Sequence, residues 1–310
     1  MKLFLPTYLF IGLGLLWQYA YPSTSLCYAP ISDASGNIFQ PAISFSYGAF
    51  EPAQTSLPRL TEQDSISTKL ELALPGSKFN NMQSHWRFAH NYRAFDFEEP
   101  ANNKLHTNGD HHQLAVHWYG SSRQKQQQWL FGVAPLLSVT SNQLKNTGRL
   151  NSDAWQLHAV IEYRKFYTKS WQWLLGVCLD DRFDHFKAYP LAGVVGDINA
   201  KTRLRLAFPD SNITVNLAPG WHFSAALSPA GSKWDSFNKF ADKHSVFNYR
   251  SWQFSLAARW QFKSRWHFTL KWGREFDRRF TFRQVAGNKA SPVAESINYV
   301  EANITWQWRQ

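Results

Sequence analysis

The sequence is short of the features that would mark a helical membrane protein, a disulfide-framed secreted domain or a metalloprotein. Two cysteines, Cys27 and Cys178, occur in 310 residues. Cys27 sits close to an N-terminal apolar segment, so the reading is against a disulfide framework, and no Cys or His spacing suggests a zinc site. Beyond the N-terminus no apolar run approaches the ~20 residues of a transmembrane helix, and mean hydropathy is -0.42. Glycines are few and never fall between a strand and a helix as in a nucleotide loop. The net charge of +11 comes without a nucleic-acid-binding module. Lys and Arg are instead spread through alternating segments and turns, which suits anionic lipid headgroups or a wet interior.

What the sequence does have is aromatics, at 16%, in long stretches of period two. Between Trp252 and Arg283 the residues Trp252, Phe254, Leu256, Trp260, Phe262, Trp266, Phe268, Leu270 and Trp272 share one parity. Arg259, Gln261, His267, Lys271, Glu275, Asp277, Arg279 and Arg283 share the other. Period two predicts strands with one apolar and one polar face. Each run reaches or exceeds the ~9–11 tilted residues that cross a bilayer, whereas strands of soluble proteins run nearer five or six. The reading is an all-β chain, a transmembrane antiparallel up-and-down β-barrel, apolar outside and polar within.

Residues 1–29 read as a signal peptide, with cleavage between Ala20 and Ala29, and residues 30–310 as the barrel. Alternating segments follow from Ile43 to Trp308. Pro135 weakens one of them, because proline removes a ladder donor. The stretch Tyr189 to Pro229 reads as four short strands. That gives 14 strands in all, or 12 if two of them merge, and both counts satisfy the even-number rule of bacterial barrels. With the N-terminus in the periplasm, the longer connections (Glu51–Gln63, Glu98–Asp110, Ser141–Ser152, Gly231–Ser245, Gln284–Glu295) fall on the outer side. Lys263-Ser264-Arg265 becomes a periplasmic turn. Arg274 and Arg278, on the apolar parity, mark where their strand clears the outer surface.

The last strand, YVEANITWQWRQ, resembles the C-terminal strand of Gram-negative outer-membrane barrels, although Arg309 and Gln310 follow the aromatic on which such strands usually finish. The resemblance implies recognition by the outer-membrane assembly machinery. The run from Tyr189 to Gly231, through Tyr189-Pro190, Gly193, Phe208-Pro209 and Pro229-Ala230-Gly231, is similar to an uncharacterised family of Gram-negative outer-membrane barrels with a domain of unknown function. It implies fold and compartment and carries no catalytic residue.

Three functions are compatible with this pattern. The first is a passive, porin-like channel or a structural surface barrel with a cation-rich lumen. Its lumen-lining residues would be His158, Glu162, Arg164, Arg259, Gln261, His267, Lys271, Glu275, Asp277, Arg279 and Arg283, with small solutes as partners. The second is a lipid-modifying enzyme, for which Asp180, Asp181 and His185 are the sole candidates for activating a nucleophile. The third is an adhesion or interaction barrel acting through its long loops. The expected surroundings are membrane lipid and lipopolysaccharide. The reading calls for no cofactor, no metal and no nucleic acid, and the Asp110-His111-His112 run offers no third metal ligand at a telling spacing.

Overall fold

The computed structural model describes residues 27, 41–56, 61–98, 109–146, 148, 150–168, 170–181, 186–238, 243–284 and 289–308. Fourteen antiparallel strands make one closed sheet. In chain order they are β1 (Ala42–Phe50), β2 (Thr61–Phe79), β3 (Met82–Glu98), β4 (Gly109–Gln124) and β5 (Gln127–Thr140). Then come β6 (Trp155–Phe166), β7 (Trp171–Asp180), β8 (Lys187–Asn199), β9 (Thr202–Phe208) and β10 (Ser211–Ala218). The last four are β11 (Trp221–Asn238), β12 (Lys243–Lys263), β13 (Trp266–Gln284) and β14 (Ile297–Gln307). Each pairs with its sequence neighbour, and β1 closes on β14 from Ala42↔Gln307 to Phe50↔Tyr299, so the wall has no free edge. The stretch from Tyr189 to Pro229 does supply four strands.

Alternation explains why these segments are strands and how they face. In β6, Leu157 and Ile161 are exposed on the outer face, while His158, Val160, Glu162 and Arg164 are buried inside. The same division runs round the wall and leaves an outer belt that includes Phe45, Phe88, Val116, Leu175, Phe223, Leu256, Leu270 and Ile304. An apolar surface of that extent is unstable in water and suits hydrocarbon. Near one rim, aromatic pairs in cross-strand register form a girdle: Trp129 with Tyr163 (4.8 Å between ring centroids), Trp221 with Trp260 (5.7 Å) and Trp266 with Trp306 (6.3 Å). Tyr and Trp favour the membrane–water interface because one end of each is apolar and the other wet. Pro135 lies within β5, and the β4–β5 ladder skips it, passing from Ala115↔Leu136 to Trp118↔Val133.

The two rims differ. The girdle rim carries both strand termini and the short turns at Asn80-Asn81, Lys125-Gln126, 167–170, Ala200-Lys201, Pro219-Gly220 and Ser264-Arg265. Left-handed residues make three of these turns tight: Asn80 (φ 49°), Lys125 (φ 46°) and Gly220 (φ 79°). At the other rim the strands have unequal heights. β9 and β10 have 7 and 8 residues, β12 and β13 have 21 and 19. The pairing of β11 with β10 ends at Leu227↔Ser211, and β11 then continues through Pro229-Ala230-Gly231 to meet β5 in parallel at Asp235↔Val139. Most of Gly231–Ser245, read from the sequence as a loop, therefore belongs to the tall β11 and β12 strands, which reach across to β5 at the rim opposite the girdle. Its Ser, Lys, Asp and Asn residues gave it a loop-like composition, but Trp234, Phe237, Phe247 and Tyr249 are buried.

Candidate functional site

Cys27 and Cys178 form a disulfide, with Cα atoms 5.6 Å apart, within the range of bridged cysteines. This corrects the expectation that the chain has none. The separation of 151 residues gave no spacing signal, and proximity in the barrel supplied the pairing. Cys27 is packed among inward side chains of β4–β8, including Tyr119, Ala134, Val160, Leu174, Tyr189 and Val195. The bridge thus fastens Cys27 to the inside of the wall. A disulfide also fits an oxidising compartment such as the periplasm.

Beside it the interior is filled by ion pairs. Glu162 binds the Arg164 guanidinium and lies 3.5 Å from Arg205, and all three side chains are buried. The Tyr189 hydroxyl donates to Asp180 at 2.6 Å. His158 lies 3.2 Å from Asp181, which also accepts from the Lys233 backbone N–H at 2.9 Å. Asp180 and Asp181 are thus engaged in holding the interior together, while His185 lies outside the described residues. Among the described residues no side chain stands beside Asp180 and Asp181 as a nucleophile activated by a base.

The opposite side of the bore is organised around Glu275. Arg93 approaches its carboxylate with both terminal nitrogens (3.2 and 3.3 Å), and Arg278 Nε lies at 3.5 Å. Tyr249 donates to it, and Gln253 donates at 2.5 Å. The Arg93 guanidinium is also held over the rings of Phe50, Phe95 and Tyr249 at 4.2–4.7 Å. Above this hub Phe95, Trp234, Phe247, Phe280 and Phe282 form a buried aromatic cluster. Next to it, Lys271 pairs with Glu301 at 2.6 Å and Lys69 with Glu71 at 2.9 Å, while Arg87 lies 3.6 Å from Glu71.

Of the residues expected on the inner face, His158, Glu162, Arg164, His267, Lys271 and Glu275 are buried there. Arg259 and Gln261 are partly exposed, on the same face as His267 and close to the girdle rim. Asp277 and Arg279 must be corrected: both are about half exposed, on the outside, and pair with each other at 3.4 Å. Arg278, expected outside, is fully buried within. The cause is a bulge. Between Arg250↔Arg279 and Trp252↔Phe276 strand β13 carries one residue more than β12, with Asp277 left-handed at φ 48°. An extra residue reverses the facing of everything beyond it, so Phe280 and Phe282 also turn inward. Arg274, before the bulge, is exposed as expected. Arg283 pairs with Val246 through its backbone, and its side chain lies outside the described part.

Lys69 and Glu71 alternate with Leu70 and Leu72, and Arg87 and Arg93 with Trp86, Phe88 and Tyr92, which puts all four on the polar parity. Nothing local distinguished Arg93 as a partner of Glu275, which is 182 residues away. His111 and His112 fall on opposite faces: His111 is buried against Trp234 and Phe247, and His112 meets His90 (3.1 Å) and Ser141 (2.8 Å). Alternate facing prevents these neighbours from sharing a metal.

A cavity of about 170 Å³ lies within the bore, bordered by Lys69, Asn91, Arg93, Lys271 and Tyr299, with Pro229-Ala230-Gly231 along one side. Gly273 permits this wall, since a Cβ there would come within 2.4 Å of the Tyr299 ring.

A closed sheet of fourteen strands with an apolar, aromatic-edged outer belt and a charged interior defines a transmembrane β-barrel of the bacterial outer membrane. No family model matches the sequence, and no curated protein matches it. Similar solved structures include an outer-membrane channel from Pseudomonas putida F1, 11% identical, with 86% of this chain and 96% of that one covered and a TM-score of 0.47. The Pseudomonas putida toluene transporter TodX is 7% identical over 88% and 90% of the two chains, with a TM-score of 0.37. The NanC porin is 8% identical over 86% and 100%, with a TM-score of 0.34. At such identities and scores these likenesses say nothing about what this chain carries.

Proposed function

We propose that the chain is a passive, porin-like channel with a cation-rich lumen. One observation carries the reading: the described residues do not pack the bore throughout. Cys27 and the Glu162–Arg164–Arg205 network fill the side of β4–β9, whereas the side of β1–β4 and β11–β14 encloses a cavity of mixed lining, bordered by Lys69, Arg93 and Lys271 as well as by aromatic rings. A purely structural barrel gains nothing from burying charged groups around open space, because each must be desolvated. A wall rich in cations favours small anions. The lumen-lining residues on this reading are His158, Glu162, Arg164, Arg259, Gln261, His267, Lys271 and Glu275, joined by Lys69, Arg93 and Arg278.

Swelling of proteoliposomes in iso-osmotic solutes tests the proposal. Uptake of small organic anions should exceed that of size-matched cations. Swelling no faster than that of protein-free vesicles for every solute would overturn it. The surroundings read from the sequence, lipopolysaccharide outside and the assembly machinery at β14, belong to the same proposal.

A further inference from the structure

We infer that the outer face of the barrel carries a hydrolase site for acyl esters of membrane lipids, with Ser141 as nucleophile, His112 as general base and His90 as the residue that positions His112. The site stands apart from the channel reading, because it lies on the other side of the wall from the bore.

Two contacts build it. His112 Nε2 is 2.8 Å from Ser141 Oγ, and His112 Nδ1 is 3.1 Å from His90 Nε2. One set of tautomers makes this a relay: the Ser141 hydroxyl donates to Nε2 of His112, whose Nδ1–H donates to His90. A hydroxyl, a base within hydrogen-bond reach and a third group that orients the base are the parts of an activated nucleophile. The fold holds them in place. The His90 and His112 rings, from neighbouring strands β3 and β4, stack at 5.3 Å with their planes 7° apart. Tyr92, whose hydroxyl donates to Asp110 at 2.6 Å, leans on His112 at 5.2 Å. Ser141 opens a single helical turn after β5 (α1, Ser141–Leu144), which is anchored by buried Gln143 donating to Asp235.

Placement on the wall names the substrate class. His111 and Gln113 are buried, so His112 and Leu114 face outward, opposite Tyr92 and His90. One step nearer the girdle, Phe88 and Val116 pair on the same face and belong with Leu114 to the apolar belt. Imidazoles at the edge of hydrocarbon are costly without a task. Ser141, His112 and His90 are all partly exposed. The esters of a membrane lipid lie where acyl chains meet headgroups, which is where this belt gives way to polar side chains. An acyl chain laid along Phe88, Val116 and Leu114 brings its carbonyl to Ser141. Ser141 Oγ then attacks the carbonyl carbon as its proton passes to His112 Nε2. The alcohol leaves with that proton, and the acyl group stays on Ser141. Water, giving a proton to the same nitrogen, releases the fatty acid and the proton returns to Ser141.

Phospholipid and the acyl chains of lipopolysaccharide share this ester chemistry. The full-length protein refolded in detergent is given dioleoylphosphatidylethanolamine or purified lipopolysaccharide in mixed micelles, and fatty acid release is followed by mass spectrometry. Release from at least one is expected, and the one cleaved names the source. Ser141→Ala should bring release down to that of protein-free micelles, and His112→Ala should lower it about a hundredfold. His90→Leu should lower kcat at unchanged KM, and His90→Gln, whose amide oxygen stands near the lost Nε2, should restore part of it. A structural role for His90 would instead reduce the heat-modifiable fraction and leave kcat of the folded protein as in the parent. Labelling of Ser141 in the unaltered protein by a fluorophosphonate, located by peptide mapping, decides the matter if a variant fails to fold. The inference is overturned if neither lipid is cleaved, if Ser141→Ala cleaves as the parent does, or if the fluorophosphonate leaves Ser141 unlabelled.

Discussion

Glu275 is fully buried and receives two guanidinium groups, a phenol and an amide. Its charge therefore holds together three strands: Arg93 comes from β3, Tyr249 and Gln253 from β12, and Arg278 from β13 itself. Removing one member of a buried pair leaves the others desolvated and uncompensated, at a cost of about 3–5 kcal/mol. Glu275→Gln should lower the urea midpoint of the folded barrel accordingly, and an unchanged midpoint would show that the hub contributes no stability. Asp277 makes a different test. Its left-handed backbone (φ 48°) suits Asp, Asn or Gly and not a β-branched residue. Asp277→Gly should leave stability almost unchanged, while Asp277→Val should cost about 1–2 kcal/mol. The parity of the sequence could not reveal this bulge, because Phe276, Phe280 and Phe282 keep the same spacing on either side of it. The nearest clue was Arg278 standing on an apolar parity.

At the scale of elements, the tall β11–β12 hairpin is the part that composition concealed and burial disclosed. It is docked through Asp235, which accepts from Gln143 and lies 3.1 Å from His244 Nδ1. Burial raises the Asp235 carboxyl above its ordinary value, with Asp153 adding to the effect and the Gln143 and His244 contacts opposing it. A raised folded-state pKa means that the docked hairpin favours the protonated acid. Its contribution is complete below the unfolded value near 3.8 and is lost as pH rises through the raised one. Amide exchange in the hairpin should therefore quicken across that interval, and Asp235→Asn should flatten the dependence. An identical profile in the variant would remove Asp235 as the cause. The other strands were legible as elements, including the four between Tyr189 and Pro229, because enough of each alternates against lipid to mark it despite local register shifts.

For the whole molecule, architecture was readable and interior partnership was not. One face of every strand meets hydrocarbon, so the apolar pattern reports the barrel directly. Inside, partners come from strands far apart in sequence, as Arg93 and Glu275 or Cys27 and Cys178 do, and alternation says nothing about which meets which. The disulfide has a consequence for processing. On the reading of residues 1–29 as a signal peptide, the bridge to Cys178 places the expected cut before Cys27, at Ala20 and not Ala29. Intact-mass analysis with and without reduction should find Cys27 present and bridged, and a mature N-terminus beyond residue 27 would contradict the bridge. The central claim is a wet, cation-rich path through the barrel, and single-channel recording of the refolded protein in a planar bilayer tests it most directly. A discrete open level with a reversal potential favouring anions across a KCl gradient is predicted, and a correctly folded barrel with no open level would contradict the account.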